Sequence, residues 1–120
     1  MAFGAFIKEA RLRKGISLRT LAKITQLDLA YLSRLEREII KPPTKNESIQ
    51  VIAEALQLEK NEISSLFDLA AVDQKKIPED INIQSDSLEA LPLLLRTIDS
   101  QRLSKAQITD LTNRIKDLYK

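Results

Sequence analysis

The chain has 120 residues, of which 43% are hydrophobic and 30% charged, and it contains no cysteine and no histidine. This length allows one small domain with an appendage. The missing residue types exclude disulfide scaffolds, Cys/His zinc sites, thiol nucleophiles and histidine general bases. No apolar run approaches the length of about 18 residues that a membrane span needs. Lys8 and Glu9 interrupt the region where a signal peptide would be apolar, so we expect a cytoplasmic protein.

The net charge of +2 predicts no partner by itself, but the charge is unevenly distributed. Residues 1–50 contain ten Lys/Arg and five Asp/Glu, whereas residues 51–90 contain three and nine. Residues 91–120 contain six and three. A basic segment beside an acidic one is typical of a localised anion-binding face. The alternative is solvated charge that happens to be uneven.

Helix formers dominate and strand-type alternation is hard to find, so we predict an all-α fold. A first helix over residues 2–14 would bury an apolar stripe and end at Gly15 in a left-handed conformation. The stripe consists of Phe3, Phe6, Ile7 and Ala10.

Two short helices should follow, and Leu18, Leu21 and Ala22 carry the apolar face of the first of them. Ser17 is a good N-cap for the second, which must end near residues 25–26 because Asp28 provides the next N-cap signal. So short a join forces a steep crossing angle between the two helices. The third helix should run from Asp28 through Leu32, Leu35 and Glu36, so that each of the two helices is about eight residues long. Pro42 and Pro43 are expected to stop it.

A fourth helix capped by Thr44 or Asn46 and a fifth beginning near Glu59 complete a set of five, which can close around one core. The expected core positions of these two helices are Ile49, Ile52, Ala53, Leu56, Ile63, Leu66, Phe67 and Ala70.

The remaining residues divide into a polar linker at 74–86 and a helical pair at 87–120, after a domain at 1–73. Pro92 would either kink the first helix of the pair or delay its start. Ser104 and Gln107 form a capping-box pattern for the second. That helix carries apolar residues at spacings typical of an a/d seam: Ile108, Leu111, Ile115 and Leu118. A helical pair of this size buries little by itself, so it must dock on the first domain, on a partner or on its own copy.

Residues 14–42 read KGISLRTLAKITQLDLAYLSRLEREIIKP. This stretch resembles the helix-turn-helix of the Cro/lambda-repressor (XRE) family of bacterial and phage regulators. The matching features are Gly15–Ile16, Leu21–Ala22, Tyr31–Arg34, Leu35–Glu36 and Lys41–Pro42. The resemblance covers about residues 3–70. It implies a five-helix lambda-repressor-like domain that binds double-stranded DNA, with Leu21, Ala22, Leu32 and Leu35 in the core and an ion pair between Arg11 and Glu36.

In such a domain the third helix enters the major groove and the second crosses the phosphate backbone. The residues that would face base edges are Asp28, Leu29, Ala30, Ser33 and Arg34. Arg34 suits bidentate contact with guanine, whereas Leu29 and Ala30 could contact only thymine methyl groups. The candidates for phosphate contact are Ser17, Leu18 and Arg19 at the start of the second helix and Arg37, Lys41 and Lys45 beyond the third. The alternatives are a solvated Arg34 and an Arg37 that pairs locally with Glu36 or Glu38.

The chain departs from the family pattern at several positions. Leu18 stands where many members have a polar residue. Gln26 stands where the turn usually has glycine, so we expect it in a left-handed conformation. After Glu36 the family commonly has glycine followed by basic or polar residues, whereas this chain continues with Arg37, Glu38, Ile39 and Ile40. At least one of the two isoleucines should pack against the core or the C-terminal segment. With few polar groups on the third helix, sequence preference would depend partly on DNA shape.

The predicted function is a transcriptional regulator, a repressor that binds an inverted repeat through its helix-turn-helix. It would do so as a homodimer, with the C-terminal helices as the dimer element. No cofactor is implied. The alternative within the same fold is an antitoxin or a mobile-element regulator, in which the C-terminal segment binds a toxin, an antirepressor or a protease. A module that binds only proteins would leave the basic first segment without a role. An enzyme is not expected, because the carboxylates are scattered and both glycines precede residue 16.

Overall fold

The computed structural model describes residues 1–77 and 81–119, and this part of the chain forms seven α-helices and no strand. The helices are α1 (Phe3–Arg13), α2 (Leu18–Thr25), α3 (Leu29–Glu36), α4 (Asn46–Ala55), α5 (Lys60–Gln74), α6 (Ser85–Ser100) and α7 (Lys105–Leu118). The chain divides into two compact units, Met1–Asn82 and Ile83–Lys120. The prediction of an all-α fold is confirmed. Residues 78–80 of the predicted linker lie outside the described residues.

The first unit surrounds a single hydrophobic core with helices α1–α5. Helix α1 packs against α3 and α5, α2 packs against α3 and α4, and α4 packs against α5. The apolar stripes predicted from the sequence point into this core, with Phe6 and Ile63 only partly buried. The largest fully buried side chains are Ile7, Leu21, Leu32, Leu35, Ile49, Ile52, Leu56, Leu66 and Phe67.

Helix α1 ends as predicted. Gly15 adopts φ +68°, and its N–H donates to the carbonyl of Leu12 at 3.1 Å. The N–H of Ile16 donates to the carbonyl of Arg11 at 3.0 Å. These two bonds form a Schellman motif, in which a left-handed residue satisfies the last carbonyls of the helix.

Helix α3 spans eight residues and ends at Glu36, which confirms its predicted length. It ends well before Pro42 and Pro43, so the prediction that these prolines stop it is wrong. The chain turns at Glu38, which has φ 62° and closes another Schellman motif. The Glu38 carboxylate accepts a hydrogen bond from the N–H of Ala5 at 3.2 Å. This contact with the first turn of α1 supports the early turn.

The N-caps were predicted with mixed success. Ser17 caps α2 through its side chain, and a capping box of Glu59 and Glu62 begins α5. Helix α4 instead begins after Lys45, so neither Thr44 nor Asn46 is its N-cap. None of these differences moves an element out of the predicted order.

The second unit contains α6 and α7. Helix α6 begins at Ser85 and continues through Pro92, so the proline does not delay its start. The capping box of Ser104 and Gln107 begins α7 as predicted. Among the described residues, neither helix has a buried side chain. Their exposed large apolar residues are Leu88, Leu93, Leu94, Leu95, Ile108, Leu111, Ile115 and Leu118. Within residues 1–77 and 81–119, no helix has the length and apolar character to cross a bilayer.

Candidate DNA-binding surface

The turn between α2 and α3 is fixed by a buried threonine. Thr25 Oγ1 donates to the carbonyl of Leu21 at 2.7 Å and accepts from the N–H of Leu27 at 3.3 Å. Between these contacts Gln26 adopts φ 60°, which confirms the predicted left-handed conformation. Sequence reasoning missed the role of Thr25, for which a hydroxyl residue directly before the turn was the available signal.

Helix α3 presents two distinct faces. Its inward face carries Leu32, Leu35 and Glu36, which are buried. We call the opposite face the outward face of α3. Its residues are three to four positions apart or adjacent, so they share one side of the helix. These residues are Leu29, Ala30, Ser33, Arg34 and Arg37, of which only Ser33 is half-buried and the others are exposed. The structure therefore brings the predicted base-facing positions of α3 together on one accessible surface.

Arg11 joins α1 to the end of α3 and to the segment before α2. Its Nε and Nη2 donate to the two carboxylate oxygens of Glu36 at 2.7 and 3.0 Å, and its Nη1 donates to the carbonyl of Ile16 at 3.0 Å. The two charged side chains are 11% and 6% exposed. The hydrogen bond with Glu36 raises the pKa of Arg11 above its ordinary value. The predicted ion pair is confirmed, and it holds the two ends of the candidate surface in fixed positions.

The start of α2 is organised by two hydroxyl residues. Ser17 Oγ accepts from the N–H of Thr20 at 3.0 Å and donates to Thr20 Oγ1 at 2.8 Å. Because the Ser17 hydroxyl is engaged within the helix, the N–H groups of Leu18 and Arg19 are the donors left at this terminus by helix geometry. Such a terminus attracts anions. Thr20 was missed, although the Ser-x-x-Thr spacing indicates it.

Two of the predicted site residues differ from the rest in their surroundings. Leu18 is half-buried and packs against the core, so it does not belong to the exposed set. Asp28 occupies the N-cap position of α3 and is exposed, but its side chain makes no cap hydrogen bond. Its carboxylate is thus available at the N-terminal end of the outward face.

Basic residues continue beyond α3. Arg37 Nε donates to the carbonyl of Ser33 at 3.3 Å, while the carboxylates that could have paired with it, Glu36 and Glu38, contact Arg11 and Ala5. Lys41 and Lys45 are exposed, and Lys45 is the N-cap residue of α4. The segment between α3 and α4 therefore places positive charge directly after the outward face.

The same segment contains the two isoleucines. Ile39 is 60% exposed, whereas Ile40 is half-buried and packs against the core. The expectation that at least one of them packs inward is confirmed. Tyr31 of α3 is half-buried and packs against the core, and this burial raises its pKa above the ordinary value. Its phenol is protonated at neutral pH, as that of any ordinary tyrosine is, and can donate a hydrogen bond.

A family model described as Helix-turn-helix matches residues 7–63. The matched range begins within α1 and ends within α5, so it contains the whole α2–α3 pair. Residues 7–63 therefore form a helix-turn-helix domain, of the XRE type that the sequence resembles. This match supports the predicted role of a DNA-binding transcriptional regulator.

Among solved structures, the chain is similar to the clp gene regulator ClgR from C. glutamicum. The two are 28% identical, with a TM-score of 0.46, and the match covers 58% of this chain and 84% of that one. No curated protein matches the chain.

Proposed function

We propose that this regulator is a repressor that binds an inverted-repeat operator as a homodimer. The observation that carries the proposal is the outward face of α3, which is accessible while the opposite face is buried and fixed by the pair of Arg11 and Glu36. A helix of this size fits the major groove of B-DNA. Occupancy of a promoter is sufficient for repression, so the mechanism needs no cofactor.

In this proposal the outward face of α3 contacts base edges. Arg34 offers the fork of donors that matches O6 and N7 of guanine, and Ser33 can bond a base or a phosphate. Asp28 can accept a hydrogen bond from the amino group of cytosine. Leu29 and Ala30 present apolar surface at the start of the helix.

Phosphate contacts would position the domain on the duplex. Ser17 and Arg19 lie at the start of α2, where the helix terminus favours an anion. Arg37, Lys41 and Lys45 would contact phosphates beyond the other end of α3. Leu18 is omitted from the contact set because its side chain is half-buried against the core.

The homodimer is supported by the second unit. One small domain makes too few contacts for strong operator selectivity, and a dimer doubles them on half-sites about one helical turn apart. Helix α7 carries isoleucine at the a positions and leucine at the d positions of its seam, a combination that favours parallel two-stranded pairing. We therefore assign DNA binding to residues 1–73, a linker to 74–86 and dimerisation to 87–120.

The proposal is tested by capturing genomic DNA fragments with the purified protein at about 150 mM salt, where exposed charges are substantially screened. We expect enrichment of a few fragments that share an inverted repeat. Reporter expression from those promoters, with and without the protein, then measures repression. Retention of fragments without sequence preference would contradict specific operator binding, and increased expression would contradict the repressor role.

Arg34→Ala should lower specific affinity by about 1–3 kcal/mol and relax the preference at one base pair, because the bidentate contact with guanine is lost. Affinities for the operator and its single-base variants, measured by fluorescence anisotropy, check this result. Arg96→Ala removes the same charge from an exposed position of α6 and should have little effect. An equal loss on every sequence would instead identify Arg34 as a phosphate contact.

Lys41→Ala should weaken binding to all duplexes and reduce the slope of log K against log salt by about one unit, because one fewer counterion is released. Titrations at several salt concentrations give the slope directly. The matched control is Lys60→Ala, at the exposed start of α5. An unchanged slope for the Lys41 variant would contradict its contact with a phosphate.

A second candidate function is favoured by the exposed apolar residues of α6 and α7. In this alternative a toxin, an antirepressor or a protease covers the second unit, and the chain acts as an antitoxin or a mobile-element regulator. Purification from the native cell followed by mass spectrometry separates the two candidates. A stoichiometric second protein would support the alternative, whereas a pure homodimer would support the first candidate.

A further inference from the structure

We infer that the regulator recognises thymine through its C5-methyl group, by apolar contact from Leu29 and Ala30. The contacted thymine would lie about two base pairs from the guanine bound by Arg34. The inference rests on the proposed function and deepens it, because it names the chemical feature of the operator that the start of α3 recognises.

The first observation is that Leu29 differs from the other leucines of α3. Its side chain is 38% exposed, whereas Leu32 and Leu35 are 0% and 1% exposed and form part of the core. Ala30 beside it is also exposed. The first turn of α3 therefore presents apolar surface to solvent on the same face as Arg34.

The second step concerns what the major groove offers to an apolar side chain. The C5-methyl of thymine is the apolar group that identifies a base in the major groove. The other identifying groups there, including O4 of thymine itself, are hydrogen-bond donors or acceptors. A leucine placed against those groups would desolvate them without providing a partner, which is unfavourable. Placed against the methyl group, it removes apolar surface of both partners from water.

The side chains of the outward face also limit which bases can be recognised. Adenine is usually bound by the amide of Asn or Gln, and residues 29–36 contain neither. Arg34 suits guanine and Asp28 suits cytosine, which are the two bases of a G·C pair, so thymine is the base of an A·T pair for which the outward face has a matched group. An A·T pair would then be distinguished through its thymine.

The spacing follows from helix geometry. Arg34 lies four residues after Ala30 and five after Leu29, and a helix rises about 1.5 Å per residue. The separation along the helix axis is therefore about 6–7.5 Å, and stacked base pairs are about 3.4 Å apart. A helix lying along the groove would thus place the two contacts about two base pairs apart.

The experiment uses the full chain and the operator found by fragment capture. Each thymine of one half-site is replaced in turn by uracil, which keeps base pairing and removes only the methyl group. We expect affinity to fall about fourfold at the contacted thymine, the loss expected for one buried methyl group. The other thymines should change affinity little. Uniform affinity across all the uracil duplexes would overturn the inference.

A variant then tests which side chain makes the contact. Leu29→Ala should bring the affinities for the thymine and uracil operators closer together, so that the fourfold ratio falls, and the contact of Ala30 accounts for any part that remains. Val51→Ala, which changes an α4 side chain of matched exposure (39%), should keep the ratio. A Leu29→Ala protein that retains the full ratio would overturn the assignment to Leu29.

The two proposals fail in different ways. If the wild-type protein shows no sequence preference at all, the proposed function fails together with the inference. If it binds one operator specifically but with equal affinity for the thymine and uracil forms, only the inference is overturned.

Discussion

Glu36→Ala should lower the free energy of unfolding by about 3–5 kcal/mol, the cost of removing one partner from a buried ion pair. The substitution leaves the guanidinium of Arg11, which is 11% exposed, without the carboxylate that accepts two of its hydrogen bonds. The carbonyl of Ile16 remains as an acceptor for Nη1, but it carries no charge to balance that of Arg11. Small domains are stable by only about 5–15 kcal/mol, so the loss is a large part of the total. Urea denaturation followed by circular dichroism measures it.

Two further variants test the cause of this loss. Arg11→Met combined with Glu36→Leu should recover most of the stability, because an apolar pair of similar volume has no charge to desolvate. Some loss should remain, since the Ile16 carbonyl is deprived of its donor. Glu54→Ala, at an exposed position of α4, should change stability by less than about 0.5 kcal/mol. A loss below about 1 kcal/mol for Glu36→Ala, as in an exposed pair, would contradict the assigned role.

The order of the helices could be predicted because each apolar stripe repeats at the helical period and local capping signals separate the stripes. Ser17 shows why this worked: its side chain, three residues before Thr20, is sufficient to begin α2. Gly15 is similar, since a residue with φ +68° at a helix end is readily provided by glycine. Such signals act over a few residues, so the sequence displays them directly.

The length of α3 could be predicted from its apolar stripe, but the turn that follows it could not, because that turn makes a long-range contact. The first turn of α1 lies so close to the end of α3 that a Cβ at Gly4 would collide with the carbonyl oxygen of Leu35. The same approach brings the N–H of Ala5 to the carboxylate of Glu38. Nothing in the periodicity of either helix indicates this approach, so the turn at Glu38 is not visible in the sequence, and the prolines are the nearest local stop signal that it offers.

The candidate DNA-binding surface was predicted unevenly for a related reason. Exposure on α3 follows from its periodicity, since Leu32 and Leu35 define the inward face and Arg34 must then point outward. The partial burial of Leu18 follows from the same periodicity, because Leu18, Leu21 and Ala22 share one face of α2. Only its assignment as a phosphate contact, which came from its position in the family pattern, conflicts with that packing. The ion pair of Arg11 and Glu36 was expected only from the family resemblance, because 25 residues separate the two.

Leu111→Asp combined with Ile115→Asp should convert the protein to a monomer and weaken binding to the inverted repeat by 10²–10⁴-fold, the range by which linked binding exceeds single-site affinity. Both residues lie on the seam of α7 and are exposed in the single chain, at 40% and 58%. Carboxylates at these positions would place four charges in an apolar dimer interface, where burying each costs several kcal/mol. Mass from light scattering and affinity for the full operator check the two effects.

The matched control places the same charges outside the seam. Thr109→Asp combined with Asn113→Asp adds two carboxylates to α7 at the b and f positions of the heptad, which face away from a two-stranded interface. This protein should remain a dimer with normal operator affinity. Affinity for an isolated half-site should be equal in both double variants, since residues 1–73 are unaltered in each. If the Leu111/Ile115 variant stayed dimeric, the interface would have to lie on another surface, and the apolar residues of the second unit would then be left for a protein partner.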